Sequence, residues 1–279
     1  MDHELSVAVA LARQAGQIVM DVYATDFAVA YKGTNDPVTE ADRRGNDVIV
    51  QGLREAFPHD VVVAEESPHP FASPDAEAPT AAQRVWYVDP LDGTKEFIAG
   101  NGECSVMIGL AVHGCARLGV VYRPDGDLLY AGAVGTGAWM EQRGVRVPLA
   151  MTEHTVGRPL IMVVSRSHRH PVADRIARTL DAGQEIPLGS IGLKIGMIAC
   201  GDADVYVEPG SATRLWDACA PDAILRSAGG QFTTVLGQPV AYGGLPLNNR
   251  HGLLATNGFC HERVVQALQP VVRELGLQP

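Results

Sequence analysis

Two aspartates three residues apart, Asp89 and Asp92, close an apolar run and are followed at once by Gly93 and Thr94. The run reads Trp86-Tyr87-Val88-Asp89-Pro90-Leu91-Asp92-Gly93-Thr94-Lys95-Glu96-Phe97. Carboxylates this close repel one another unless a cation stands between them. A Gly-Thr pair that opens a helix offers backbone N–H groups to an oxyanion. These residue types, at this spacing and at an expected turn, point to a metal ion beside a phosphate.

Other acids end or begin predicted elements in the same way. Glu65 follows Val61-Val62-Val63-Ala64, and Asp217 lies at the start of a predicted helix, after Leu215-Trp216. If the strands ending at Glu65 and Asp89 are neighbours, three carboxylates meet at one sheet edge. Hard oxygen ligands suit Mg2+. The chain offers no cluster of His or Cys to rival them, which argues against zinc. Taken singly, an acid after a strand also serves as a turn former or a helix cap; the joint pattern carries the metal reading. Haloacid-dehalogenase phosphatases use Asp-x-Asp-Gly-Thr, with acids two apart. A spacing of three, with proline between, disfavours their covalent aspartyl-phosphate mechanism.

The elements that must position these residues follow from periodicity and breakers. Leu5, Val9, Ala12, Ile18, Val19 and Val22 recur at helical spacing, so residues 4–23 are expected to form a helix. Residues 32–37 read as a loop. A second helix runs to about Phe57 and stops at Pro58. Its start has two candidate caps: Asp36 with Pro37 at the first helical position, or Thr39 with Asp42 three residues on. Residues 60–64 read as a short buried strand, 68–83 as an exposed excursion rich in Pro and Ala, and 84–88 as a strand. Strands are expected at 104–112, 116–122, 128–134, 137–140 and 145–149, with hairpin turns at 124–127 and 142–144. From about residue 158 strands alternate with helices: strands at 160–165, 203–207, 231–235 and 252–256, and helices at 171–180, 192–200, 218–228 and 261–275. The expected fold class is α/β, with an α+β half with an antiparallel sheet at 1–157 and an α/β half at 158–279.

The bulk numbers set limits. A chain of 279 residues allows one large domain or two closely joined halves. A content of 46% hydrophobic and 19% charged residues is ordinary for a globular protein. The formal charge of −10 is the wrong sign for coating nucleic acid or an anionic membrane surface. An acidic protein that acts on an anionic substrate needs a local reversal of field, which bound divalent cations provide. There are nineteen arginines and only three lysines, and Lys32, Lys95 and Lys194 all fall beside motifs. No apolar run reaches the roughly 18 residues of a membrane span. The start, Met1-Asp2-His3-Glu4, lacks the basic flank of a signal peptide, so a cytoplasmic location is expected. Five scattered cysteines without a C-x-x-C pair fit reduced thiols.

Asp36-Pro37-Val38-Thr39-Glu40-Ala41-Asp42, Glu65-Glu66-Ser67, Asp89-Pro90-Leu91-Asp92-Gly93-Thr94 and Trp216-Asp217 occur in this order. The combination resembles the inositol monophosphatase superfamily over most of the chain. The resemblance implies a layered αβαβα sugar-phosphatase fold and Mg2+-dependent, lithium-inhibited phosphomonoester hydrolysis, with the site in the cleft between the halves. It implies Glu65, Asp89, Asp92, Asp217 and the Leu91 carbonyl as ligands of two or three Mg2+ ions. Thr94, with Asp42 behind it, would orient the attacking water, and Glu65 would help as base. The amides of Gly93 and Thr94 would grip the phosphate.

Within the superfamily, Asp-Pro-Leu-Asp-Gly-Thr-Lys-Glu-Phe is similar to the 3′(2′),5′-bisphosphate nucleotidases of the CysQ type. So are Ser165-Arg166-Ser167-His168, Gly189-Ser190 with Lys194, and Leu247-Asn248-Asn249-Arg250. The implied substrate is 3′-phosphoadenosine 5′-phosphate, with Ser167, His168, Ser190 and Lys194 against the adenosine or the second phosphate. His168 reads equally as a surface-loop residue beside His170, and Lys194 as a solvated lysine. Glu208 is similar to an acidic substrate contact of inositol phosphatases but lies about two residues too far from Trp216-Asp217, so it is left unassigned, as are Lys95 and Glu96. Inositol 1-phosphate and fructose 1,6-bisphosphate are the alternative substrates, and the resemblance allows a homodimer. A regulator that binds metal or phosphate without turnover is the reading from another class. The intact set Asp42, Glu65, Asp89, Asp92, Thr94 and Asp217 speaks against it, because a binder needs no water-orienting pair.

Overall fold

The computed structural model describes residues 1–34, 36–67, 83–151 and 158–277. The first part contains α1 (Asp2–Tyr23), β1 (Val29–Gly33), β2 (Asp36–Thr39), α2 (Glu40–Ala56), β3 (Val61–Ala64), β4 (Arg84–Asp92) and α3 (Thr94–Ala99). An antiparallel series follows: β5 (Ser105–Val112), β6 (Cys115–Arg123), β7 (Leu128–Ala133), β8 (Gly137–Gln142) and β9 (Val145–Leu149). The rest is β10 (Leu160–Ser165), α4 (Ala173–Thr179), β11 (Ala182–Leu188), α5 (Ile191–Cys200), β12 (Val205–Glu208), α6 (Leu215–Ser227), β13 (Gln231–Thr233), β14 (Leu253–Thr256) and α7 (His261–Glu274).

Two sheets organise these elements. One has seven strands in the order β3-β4-β5-β6-β7-β8-β9, and the other five in the order β11-β10-β12-β14-β13. In the first, β3 runs parallel to β4 and each later neighbour is antiparallel. The alternation of side chains across a strand shows what covers each face. On β4, Trp86 and Val88 join a core with Leu11, Ala12 and Val19 of α1 and Ile49 and Leu53 of α2. Val85 and Tyr87 face the other way, into a core with Ile195 of α5 and Ala220 and Ile224 of α6. That second core also takes Val163, Tyr206 and Leu253 from the five-stranded sheet. The far face of this sheet packs Val205, Val207 and Leu254 on Ile176 of α4 and Val264, Leu268 and Val271 of α7. The result is five layers, αβαβα.

Several expectations needed correction. The expected loop at 32–37 is corrected at its described ends: Lys32 and Gly33 belong to β1, Asp36 and Pro37 to β2, and Gly33 pairs with Asp36. That extended backbone decides between the two caps. Thr39 caps α2, with Ala41 N donating to its Oγ1 at 3.2 Å and Thr39 N donating to Asp42 Oδ2 at 2.7 Å. β11 was not expected from the sequence; it is a mostly exposed strand at the sheet edge, containing Gly183 and Pro187, so it lacks an alternating apolar signature. The expected excursion falls outside the described residues apart from Gln83, as do residues 152–157 that end the first expected half. α1 is long and apolar enough in composition to cross a membrane. However, Ala8, Leu11, Ala12, Ala15 and Val19 are spent in the core against α2 and the sheet.

α6 lies against the seven-stranded sheet at backbone distance. Gly109 on β5 and Gly119 on β6 pair with each other and face it. A Cβ on Gly119 would stand 2.1 Å from Ala220 O, and one on Gly109 would stand 2.6 Å from Ala220 N. Gly119→Ala is therefore expected to destabilise the protein by about 1–3 kcal/mol through overpacking. Urea denaturation checks this; an unchanged midpoint would mean that α6 has room to move outward at no cost.

Candidate active site

The Asp89–Asp92 segment is a bulged strand rather than the expected turn. Asp89 pairs with Met107 and Asp92 with Ser105, so three steps on β4 oppose two on β5. In a regular strand, residues three apart point to opposite faces. The extra residue of a bulge resets that alternation. Its effect is visible in the core: Leu91 joins Trp86 and Val88 on the α1–α2 side. Asp92 turns with Asp89 toward α5 and α6, and both line one cavity. Pro90 suits the bulge because it has no N–H to leave unpaired. Beside them, Ala64 of β3 pairs with Val88, and Glu65 N donates to Val88 O at 3.1 Å. The strands ending at Glu65 and Asp89 are thus neighbours.

Helix starts complete the cluster. Asp42 and Asp217 each sit three residues after the N-cap of their helices, α2 and α6. Asp217 Oδ2 accepts from Arg214 N at 2.6 Å, as Asp42 Oδ2 does from Thr39 N. Asp92 Oδ2 accepts from Ser190 Oγ at 2.5 Å and Gly192 N at 3.2 Å, at the start of α5. Three helix N-termini therefore converge, and their partial positive charge favours anions there. Thr94 Oγ1 lies 2.9 Å from Asp42 Oδ1 and 3.2 Å from Leu91 O, and its single hydrogen serves one of them at a time. Donation to buried Asp42 leaves the hydroxyl lone pairs to accept a hydrogen from a water molecule.

Glu65, Asp89, Leu91, Asp92, Gly93, Thr94 and Asp217 all line a cavity of about 460 Å3. Burial, then the charges of Glu65, Asp92 and Asp217, push the Asp89 carboxyl well above the usual range. Burial, then Asp92 and Glu65, does the same to Asp217. Asp89 also stands within hydrogen-bonding reach of Glu65 and of Asp217. Carboxylates make such contacts when a proton or a cation is shared between them. Among the described residues, no three Asp, Glu, His or Cys side chains stand in ready-made coordination geometry. The acids accept from protein donors: Asp89 Oδ1 from Leu91 N, Asp92 from Ser190, Asp217 from Arg214 N, and Glu65 from Lys32 Nζ at 2.7 Å. The all-oxygen donor set and the crowding of like charges fit a hard divalent cation.

The expected substrate residues divide. His168 and Lys194 line the cavity. Ser167 is exposed and outside the lining, whereas Ser165 is part of it. Ser190 is not against the cavity. It is fully buried, bonds to Asp92 and to Ser105 Oγ at 2.7 Å, and caps α5 by accepting from Leu193 N at 3.2 Å. Its role is to hold Asp92. Lys194 is not solvated but buried, with Nζ donating to the carbonyls of Leu188 and Gly189 and standing 5.3 Å from the Tyr206 ring centroid. Sequence reasoning missed Lys32, whose Nζ bridges Glu65 and Glu66. The one available signal was the scarcity of lysine. Glu208 and His170, left unassigned, also line the cavity.

A model of the inositol monophosphatase family matches residues 1–273. The chain belongs to the inositol monophosphatase family. Its phosphatase chemistry follows from that membership, and the fold agrees with solved members. The 3′(2′),5′-bisphosphate nucleotidase CysQ of Escherichia coli strain K12 is 40% identical over 234 residues, covering 83% of this chain and 91% of that one. Inositol monophosphatase 2 of Mus musculus is 31% identical over 248 residues, covering 86% of this chain and 82% of that one. Among solved structures of the family, CysQ from Bacteroides thetaiotaomicron superposes with a TM-score of 0.75 at 29% identity, covering 91% of this chain and 97% of that one. The Thermotoga maritima IMPase reaches 0.79 at 25% identity, covering 99% and 100%.

Ser190→Ala separates holding Asp92 from touching substrate. It is expected to cost about 1 kcal/mol through the lost cap and to lower kcat by about the same factor for every phosphomonoester tested. A loss confined to one substrate would return Ser190 to the specificity surface.

Proposed function

We propose that this phosphatase is a Mg2+-dependent 3′(2′),5′-bisphosphate nucleotidase that converts 3′-phosphoadenosine 5′-phosphate to AMP and phosphate. The observation that carries the chemistry is the 2.9 Å contact between Thr94 and Asp42, set beside four carboxylates in one cavity. The likeness to the CysQ nucleotidases supports the substrate. Glu65, Asp89, Asp92, Asp217 and the Leu91 carbonyl would hold two or three Mg2+ ions. Bound Mg2+ supplies Lewis-acid polarisation of the phosphoryl group and a lowered pKa for a coordinated water.

The chain's own groups do the rest. Asp42 fixes the Thr94 hydroxyl, which orients the attacking water for in-line displacement. Glu65 takes the proton of that water. The amides of Gly93 and Thr94 hold the phosphate. Ser190 steadies Asp92, and Lys32 holds Glu65 and Glu66 in place. Residues 1–157 contribute most of this machinery, while 158–279 contribute Asp217, His168 and Lys194. The likeness to inositol monophosphatase 2 favours inositol 1-phosphate as the second reading.

A phosphate-release panel with Mg2+ tests the substrate. It compares 3′-phosphoadenosine 5′-phosphate, inositol 1-phosphate and fructose 1,6-bisphosphate. The first is expected to lead in kcat/KM, and a tenfold preference for inositol 1-phosphate would replace the nucleotidase reading. Chelation of divalent ions is expected to stop turnover and Mg2+ to restore it. Asp89→Asn is expected to reduce kcat at least about a thousandfold, because it removes a charge shared between cations. Near-wild-type turnover in that variant would remove Asp89 from the ligand set.

A further inference from the structure

Three lysine and arginine side chains line the cavity: Lys95, Arg169 and Lys194. Two of them are already engaged. Arg169 Nη2 donates to Asp174 Oδ1 at 2.5 Å and to Glu185 Oε2 at 2.6 Å. Lys194 is buried and directs Nζ to the Leu188 and Gly189 carbonyls. Lys32, behind Glu65, is held by two glutamates. Lys95 differs from all of these. It is half-buried, it lines the cavity, and no described residue gives its ammonium a hydrogen bond or ion pair. Its neighbour Glu96 is buried and does not pair with it.

Position makes the unpaired charge useful. Lys95 follows Thr94, whose hydroxyl marks where the cleaved phosphoryl group is attacked, and consecutive Cα atoms are roughly 3.8 Å apart. The side chain therefore departs from beside the reacting centre but is not part of it. Burial, then the Lys95 and Lys194 charges, holds the His168 imidazole below its ordinary value. The Lys95 charge thus acts on the wall of the cavity that carries His168. A small molecule that places one phosphoryl group on the acids meets this wall with its remainder. In a protein of charge −10, a second anion needs a local cation with free donors.

We propose that Lys95 is the specificity residue for the second anionic group of the substrate, a terminal phosphate on the molecule whose other phosphoryl group is cleaved. This rests on the bisphosphate reading above and names the residue that makes the second phosphate count. Lys95 donates charge-assisted hydrogen bonds to that phosphate from a half-buried side chain that has no competing partner among the described residues.

The test uses Lys95→Ala and Lys95→Arg in the full chain, with 3′-phosphoadenosine 5′-phosphate and adenosine 3′-phosphate as a pair. In Lys95→Ala, kcat/KM for the bisphosphate is expected to fall about tenfold or more relative to that for the monophosphate, mainly through KM. Lys95→Arg is expected to restore most of the ratio. Calorimetry gives a readout apart from turnover: Lys95→Ala is expected to weaken binding of AMP, which keeps the second phosphate, by a similar factor relative to adenosine. Equal losses on both substrates, or no loss on either, would overturn the proposal. The wild-type panel distinguishes its failure from that of the nucleotidase reading. If the wild type prefers another bisphosphate, the same ratio is taken on that compound and its monophosphate. A ratio that Lys95→Ala leaves unmoved there also overturns the assignment.

Discussion

Repulsion among buried carboxylates is the constraint on which the rest of this structure depends. Glu65, at the end of β3, Asp89 and Asp92, both on β4, and Asp217, on α6, share one cavity. The surroundings offset their mutual repulsion in several ways at once. Three helix starts point at them, Ser190 and backbone amides donate to them, and Lys32 neutralises two glutamates at the edge. These devices hold the acids in place without cancelling their charge. What remains is a deficit of positive charge, in the form that a hard cation fills.

The layered fold meets this demand by trapping α6 between two sheets. The helix shares one core with β4 of the first sheet and with β10 and β12 of the second. Its N-terminal turn is thereby fixed relative to the end of β4, and Asp217 is fixed relative to Asp89. The facing glycines Gly109 and Gly119 let the helix settle at backbone distance from the sheet. On the other face, α2 carries Asp42 to Thr94, so the hydroxyl at the start of α3 is set from one side of the sheet and the acids from the other.

Much of this was legible in the residues. The change from antiparallel to alternating pattern was enough to give the class of fold, and the acids at element ends and the Thr-Asp pair pointed to side chains that the structure brings together in a candidate site. What escaped had physical reasons. The bulge depends on a register between β4 and β5 that no local pattern carries. β1 is mostly exposed and so shows no apolar alternation that would mark its pairing with β2. Ser190 resembled a substrate contact because a buried cap and a ligand contact use the same hydroxyl; only its burial and its bonds to Asp92 and Leu193 tell them apart. Lys32 lies 33 residues from Glu65, a tertiary contact that sequence spacing cannot reveal.

The bulge in β4 also bears on how such an acid pair can change over time. On a straight strand, two acids address one side when they are two apart; on this bulged strand they do so at three. Each arrangement is internally consistent, yet a single-residue insertion or deletion separates them. The intermediate would send one carboxylate into the hydrocarbon packing beneath α1 and α2. The length of this motif is therefore locked to its bulge.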